Sequence, residues 1–451
     1  MSKPMMAQLH PLTLSFRNPE VEREFWLYNP PIVDAALGLR ASYLKATRRI
    51  TRELAVAGVP TLVFTRTRRA VEVLVRTLHD HADDDLPAAQ VRGYRGGYLP
   101  ELRREVERAL STGAARVVVA TSALELGIDV GGLGAVVIAG WPGSRAAVWQ
   151  RAGRAGRRGE RAAVVLVACS EPMDQYVAGE PEWLFGQPAE HGRIDADNLS
   201  VLVPHVKCAA FELPFARGER FGGLGEDETL EVLRALAHAG ALHESSDADA
   251  HDADAAQFHW VGDAYPAQEV SLRGPLDENF VVVNSDDDEV IAEVDRGDAA
   301  QALHPSAIYQ VEGRTFQVER LDWTTRKAFV KPVECDHYTL AMTNTKVRVL
   351  EELERAGASA VAEIHVRKKV VGFKKIRFHT HENVGYGEVS QPDEEMHTRA
   401  LILEARGASA GAATADGTRG AAYALHHVGA LMVMCDVHDL GRVVLADDES
   451  C

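Results

Sequence analysis

The 451-residue chain has little of several things that would settle its class at once. Five cysteines (Cys169, Cys208, Cys335, Cys435 and Cys451) lie far apart with no CxxC pair, which argues against a disulfide framework or a tetrahedral zinc site. No stretch approaches 18 uncharged apolar residues, so no segment reads as a membrane-spanning helix. The opening Met1-Ser2-Lys3-Pro4-Met5-Met6 lacks the charged-then-apolar plan of a secretory signal. Together these point to a reducing, cytoplasmic setting. No Gly-x-x-x-x-Gly-Lys-Ser/Thr phosphate loop occurs, and no internal repeat is evident. Positive charge is also short: 49 Lys and Arg against 66 Asp and Glu give a net charge of -17, hostile on average to a polyanion.

What is present is unevenly distributed. Residues 40–161 hold 21 Lys/Arg against 12 Asp/Glu, a balance of +9 that leaves -26 for everything else. A basic segment inside an acidic chain is where a polyanion site belongs. The same segment alternates short apolar runs with helical periods. Residues 59–64, 116–120, 135–139 and 162–168 read as buried strands, and 67–78 and 99–110 as helices. Continuous apolar strands separated by helices predict an α/β domain over 39–170, a parallel sheet with helices on both faces.

Residues 1–38 read as a lead-in segment and 171–225, rich in Pro and Gly, as a connector. Over 226–300, a helix at 227–239 ending at Gly240 and a strand at 241–243 suggest a winged-helix-like unit with an acidic loop at 245–256. The remainder, 301–451, is expected to be a β-rich accessory domain, with a small-residue linker at 407–420 and a helix at 421–434.

Chemistry concentrates in two motifs. In Gln150-Arg151-Ala152-Gly153-Arg154-Ala155-Gly156-Arg157-Arg158-Gly159, Arg154 and Arg157 are three apart and project from one side of a turn. Paired, rigidly aimed arginines suit the charge that develops on a transferring phosphoryl group. In Thr121-Ser122-Ala123-Leu124-Glu125-Leu126-Gly127-Ile128-Asp129, Thr121 and Ser122 follow a strand. They offer hydroxyls and N–H groups at the carboxyl edge of the sheet, where open α/β folds place ligands. Asp129 suits a ribose hydroxyl or an arginine.

These motifs, with Val63-Phe64-Thr65-Arg66-Thr67-Arg68 and Gly93-Tyr94-Arg95-Gly96-Gly97-Tyr98, resemble the second RecA-like domain of superfamily 2 helicases. More narrowly, the chain is similar to the YprA/MrfA-type DNA repair helicases of the DEAD/DEAH-box branch, over most of its length. The resemblance implies arginine fingers at Arg154 and Arg157, and nucleotide coupling through Gln150, Gly127 and Asp129. It implies strand-phosphate contacts at Thr65, Arg66, Arg95, Thr121 and Ser122. The cofactors implied are ATP and Mg, held mainly by a first motor domain that would be encoded separately. The partner is DNA, single-stranded or with a 3′ single-stranded tail and tracked 3′ to 5′, with no membrane partner. Zinc is expected of the full-length family but not of this chain, which stops before that family's cysteine cluster, so no metal ligands are assigned.

Ser122 stands where relatives are expected to carry Asn. A second reading is a non-catalytic nucleic-acid-binding module that has lost ATP turnover. Weaker candidates are a basic, aromatic-interleaved hairpin through Arg367, Lys368, Lys369, Phe373, Lys374, Lys375, Arg377 and Phe378, equally readable as a solvated face. His365, His379, His381 and His397, and Cys435 with His438 and Asp439, fall short of a metal ligand set.

Overall fold

The computed structural model describes residues 16–18, 21–126, 133–156, 161–192, 195–245, 257–270, 279–404 and 415–445. They form two compact units, one of 192–279 and one of 1–191 with 280–451.

The larger unit opens with β1 (Phe16–Asn18), β2 (Val21–Tyr28), β3 (Ile32–Asp34) and β4 (Leu39–Arg40). There follow α1 (Tyr43–Val56), β5 (Thr61–Thr65), α2 (Arg68–His79), β6 (Val91–Tyr94), α3 (Pro100–Ser111) and β7 (Val117–Ala120). The run ends with β8 (Ala135–Ala139), α4 (Arg145–Ala152), β9 (Ala162–Val167), α5 (Pro172–Gly179) and α6 (Pro181–Phe185). Strand order is β1-β2-β9-β8-β5-β7-β6, parallel throughout except for the β1–β2 pair.

Side chains alternate across each strand, so the apolar runs feed two cores. Leu62, Phe64, Val118 and Ile138 pack with Val106, Leu110 and Val148 on one face. Val63, Val117, Val119 and Val137 pack with Ile50, Leu54, Val71 and Leu74 on the other. The helices start where the sequence can cap them: Ser42 accepts from Lys45 N, Thr67 from Ala70 N and Ser144 from Ala147 N. The lead-in segment differs from expectation. Its residues 21–28 add β2 beside β9 and bury Phe25 and Leu27 in the first core, because alternate apolar side chains can complete a sheet edge.

The smaller unit contains α7 (Leu199–Glu212), β10 (Phe215–Ala216), α8 (Glu226–His238), β11 (Leu242–Ser245) and β12 (Gln257–Trp260), in strand order β10-β12-β11. Leu202, Val206, Leu233, Leu236 and Phe258 form its core. The expected connector therefore divides: its second half supplies α7, whose apolar face needs α8 and the strands to cover it. The unit closes by 279, not 300. Most of the acidic run, 246–256, lies outside the described residues.

The larger unit resumes with β13 (Phe280–Asn284), β14 (Val290–Val294), α9 (Arg296–Ala302), β15 (Ile308–Val311), β16 (Arg314–Asp322) and β17 (Lys327–Pro332), ordered β14-β13-β17-β16-β15. Tyr98, from the loop after β6, joins the core of this sheet with Phe280, Val282, Phe316 and Val330. A long hairpin of β18 (His337–Ala356) and β19 (Ser359–Arg377) then pairs with β20 (Asn383–Glu388) and β21 (Glu394–Leu403). Its basic residues are partly neutralised: Arg367 and Lys369 both pair with Asp393, and Arg377 pairs with Asp336. Phe373 and Phe378 are buried, so they are core and not stacking surfaces. The last helix, α10 (Ala415–Val433), takes in the end of the expected linker, whose residues up to 414 lie outside the described ones.

Candidate nucleotide and nucleic-acid site

Parallel strands put all their carboxyl ends on one edge, so the loops after β5, β7, β8 and β9 converge there. Thr65 ends β5 fully buried, and its hydroxyl donates to the carbonyl of Thr67 at 3.2 Å, with the carbonyl of Ala120 a second acceptor in reach at 3.5 Å. That corrects its expected role, because the hydroxyl is spent on the turn and faces no phosphate.

Arg66 leaves the sheet beside it. Its Nη1 lies 2.6 Å from Glu171 Oε2 and 4.0 Å from Cys169 Sγ. Its stem crosses Gly140, whose φ of +83° and whose missing Cβ, which would sit 3.1 Å from Arg66 Cδ, both call for glycine. Burial works against the Arg66 charge, and Glu171 more than reverses it, raising the pKa. Beneath lies Asp174, 3% exposed, whose Oδ1 accepts from Trp141 N and Cys169 N, both at 2.9 Å. Asp174 thus ties the ends of β8 and β9 together.

Cys169, Glu171 and Asp174 present ligand atoms within 4.8 Å of one another, a grouping the sequence reading missed. Burial, with Asp174 next, pushes the Cys169 thiol up to about 12, and the Arg66 guanidinium supplies positive charge beside Glu171.

After β7, Thr121 is half-buried and Ser122 exposed on a single 3₁₀ turn, Ser122–Leu124. The expected helix N-terminus is therefore one short turn, whose first N–H, that of Thr121, donates to Tyr94 O at 3.3 Å. Glu125 follows and serves two arginines. Its carboxylate accepts from Arg151 Nε at 2.9 Å, a pair with side chains 6% and 10% exposed. Its carbonyl accepts from Arg154 Nε and Nη2 at 3.0 and 2.6 Å. Arg151 also lies 5.3 Å from the centre of the Phe64 ring.

The two motifs, joined by contacts 26 and 29 residues apart in sequence, are thus one assembly fastened at Glu125. Gln150 is exposed on the same helix, α4. Gly127, Asp129 and Arg157 lie outside the described residues. Arg151 and Glu125 were not singled out from the sequence. The available signal was an acid flanked by leucines, at Leu124-Glu125-Leu126, and an arginine one turn before Arg154.

Arg95 is corrected outright. It is 4% exposed, donates to Glu72 Oε1 at 2.6 Å and to Gln310 O at 2.7 Å, and lies 4.7 Å from the Tyr98 ring. Glu72, 2% exposed, also accepts from Tyr98 Oη at 2.8 Å and Gly313 N at 3.3 Å. Burial alone would depress Arg95; contact with Tyr309, Glu72 and Tyr98 reverses this and keeps it charged. Beside it, Glu312 accepts from Arg92 Nε at 2.6 Å and Gly93 N at 2.7 Å. Arg95 therefore fastens the parallel sheet to the β15–β16 turn, and no surface of it is left for a strand.

Residues 45–159 match the family described as helicase conserved C-terminal domain, and 194–275 the winged helix domain of ATP-dependent helicase HRQ1. The chain is 38% identical over 433 residues to a Bacillus subtilis (strain 168) protein named ATP-dependent helicase YprA, covering 94% of this chain and 56% of that one. It is 31% identical over 334 residues to ATP-dependent helicase HRQ1 of Saccharomyces cerevisiae, covering 71% of this chain and 30% of that one. A crystal structure of the DUF1998 helicase MrfA bound to DNA superposes with a TM-score of 0.77 at 36% identity, covering 95% of this chain and 57% of the other. A second, bound to DNA and AMPPNP, superposes with a TM-score of 0.73 at 36% identity, covering 93% and 55%. The chain thus spans a little over half the length of YprA and MrfA. In sequence and in fold the chain is similar to YprA and MrfA, and it carries a stretch that matches the helicase conserved C-terminal domain, one that matches the HRQ1 winged helix domain, and a β-rich region.

Proposed function

We propose that this chain supplies the second motor lobe and accessory domains of an ATP-dependent DNA helicase or translocase that works in cytoplasmic DNA repair. The observation that carries the reading is the double use of Glu125, whose carboxylate holds Arg151 and whose carbonyl holds Arg154. Arg154, with Arg157, acts as an arginine finger toward ATP, and Gln150 and Asp129 report the nucleotide state. Thr121 and Ser122, just before Glu125, contact strand phosphates together with Arg66. A shift of α4 toward the nucleotide is then passed through Glu125 to the residues that hold DNA.

ATP bound here would supply the phosphoryl group, and the Lys-containing phosphate loop would come from a first motor lobe, since no Gly-x-x-x-x-Gly-Lys-Ser/Thr stands in this sequence. The guanidinium donors at the sheet edge suit a phosphate and not a metal.

The test is DNA-stimulated ATP hydrolysis by the purified chain, alone and with a polypeptide carrying the phosphate loop. The chain alone is expected to be inactive and the pair active. Arg157→Ala is expected to cost the pair about a thousandfold or more in rate, the scale of a lost arginine finger. Turnover by the chain alone, or a pair indifferent to Arg157→Ala, overturns the reading.

A further inference from the structure

Among the arginine–carboxylate pairs near the carboxyl ends of the strands, three differ in one respect. In Arg95–Glu72 the side chains are 4% and 3% exposed, and in Arg151–Glu125 they are 6% and 10% exposed. In Arg66–Glu171 they are 19% and 44% exposed. Breaking either of the first two strands a buried charge, which fixes them as permanent joints. The third can exchange its anion, because the carboxylate that leaves returns to water at little cost.

The remainder of the Arg66 setting is built to aim the guanidinium. The stem lies over Gly140, and Asp174 holds the ends of β8 and β9 on either side. Asp174, Arg151, Asp436 and His427 are the other charged or titratable groups within electrostatic reach of Arg66, alongside Cys169 and Tyr43. Only Glu171 makes an ion pair with it among the described residues.

Resting on the reading of Arg66 as a strand contact, we propose that Glu171 is a positioning residue that occupies Arg66 until a nucleic-acid phosphate replaces it. The carboxylate keeps the guanidinium extended across the open edge. A phosphodiester presents two non-bridging oxygens that share one negative charge to the same guanidinium, and the displaced Glu171 turns to solvent. Glu171 is thus a competitor for the phosphate site as well as its organiser, and it lowers affinity for any polyanion that docks there.

The experiment measures binding of a fluorescent single-stranded oligonucleotide to the full chain at low salt, with thermal midpoints as a check on folding. Glu171→Gln is expected to bind about twofold to fivefold more tightly than the parent, the scale of one exposed ion pair. Glu171→Asp, which keeps the charge, should not gain. Arg66→Ala should bind more weakly, and Glu171→Gln added to it should gain nothing, an interaction that a merely structural glutamate would not produce. If Arg66→Ala weakens binding while Glu171→Gln binds no better than the parent, the exchange is refuted and the strand contact stands. If Arg66→Ala binds like the parent, the strand contact itself is refuted, and the exchange with it.

Discussion

Replacing Arg95 by Ala separates the sequence reading of that residue from the structural one more sharply than any other substitution. The sequence placed Arg95 against DNA; the structure buries it against Glu72, Gln310 O and two tyrosine rings. In Arg95→Ala, the Glu72 carboxylate remains 2% exposed in the parent packing and keeps only Tyr98 Oη and Gly313 N. Leaving one partner of a buried pair uncompensated costs about 3–5 kcal/mol. At roughly 2.1 cal/mol/K of unfolding entropy per residue, each kcal/mol moves the thermal midpoint of a unit this large by about 1.3 °C, so a fall on the order of 5 °C is expected.

The loss should be recovered in large part by Glu72→Leu with Arg95→Met, which removes both charges and keeps the volume. Circular dichroism melts of the parent, the single and the double variant measure this. Oligonucleotide affinity, taken well below the lowered midpoint, should stay at the parent value with the same salt dependence. A variant that melts like the parent but binds DNA more weakly, with a shallower salt slope, would refute the burial argument and restore Arg95 to the strand interface.

Two further outcomes follow from the same pairs and cores. Glu125→Gln removes the charge that compensates Arg151 and should lower the midpoint by several degrees in melts, while the Glu125 carbonyl still holds Arg154; an unchanged midpoint would contradict the buried pairing. His304 is buried, stacks on Phe373 and donates from Nδ1 to Pro305 O, and burial holds its pKa below the ordinary 6.5. Its unfolded form therefore binds a proton first. The stability it contributes is complete above pH 6.5 and is lost as pH falls from there toward its folded value. Midpoints measured from pH 7.5 down to 5 should drop, and His304→Phe should flatten part of that drop; an equal acid slope in both proteins would count against it.

Much of the architecture was readable from local pattern. Apolar runs at 61–65, 117–120, 135–139 and 162–167 are too continuous to be one-sided strands, and the 3.6-residue spacing of Val71, Leu74, Val75 and Leu78 leaves little but a helix on that sheet. The two chemical motifs were legible because a parallel sheet must deliver its carboxyl ends to one edge. A charge balance of +9 across the same stretch pointed to the same place.

What the sequence left open is partnership at long range. Arg66 and Arg95 are alike in a sequence, each an arginine just after a strand. One meets Glu171 at a rim that water reaches; the other meets Glu72, 23 residues away, and Gln310, 215 residues away, under a second sheet. Thr65 is likewise a plausible phosphate ligand until its hydroxyl is seen to be used by its own turn. Residues 21–28 and 199–212 carry patterns too short or too mixed to assign, and they became a strand and a core helix because a neighbour offered an open edge or face. Periodicity records which side of an element is apolar, a property of neighbours in the chain. Which charge an arginine finds, and whether water still reaches it, depends on surfaces brought together only by folding.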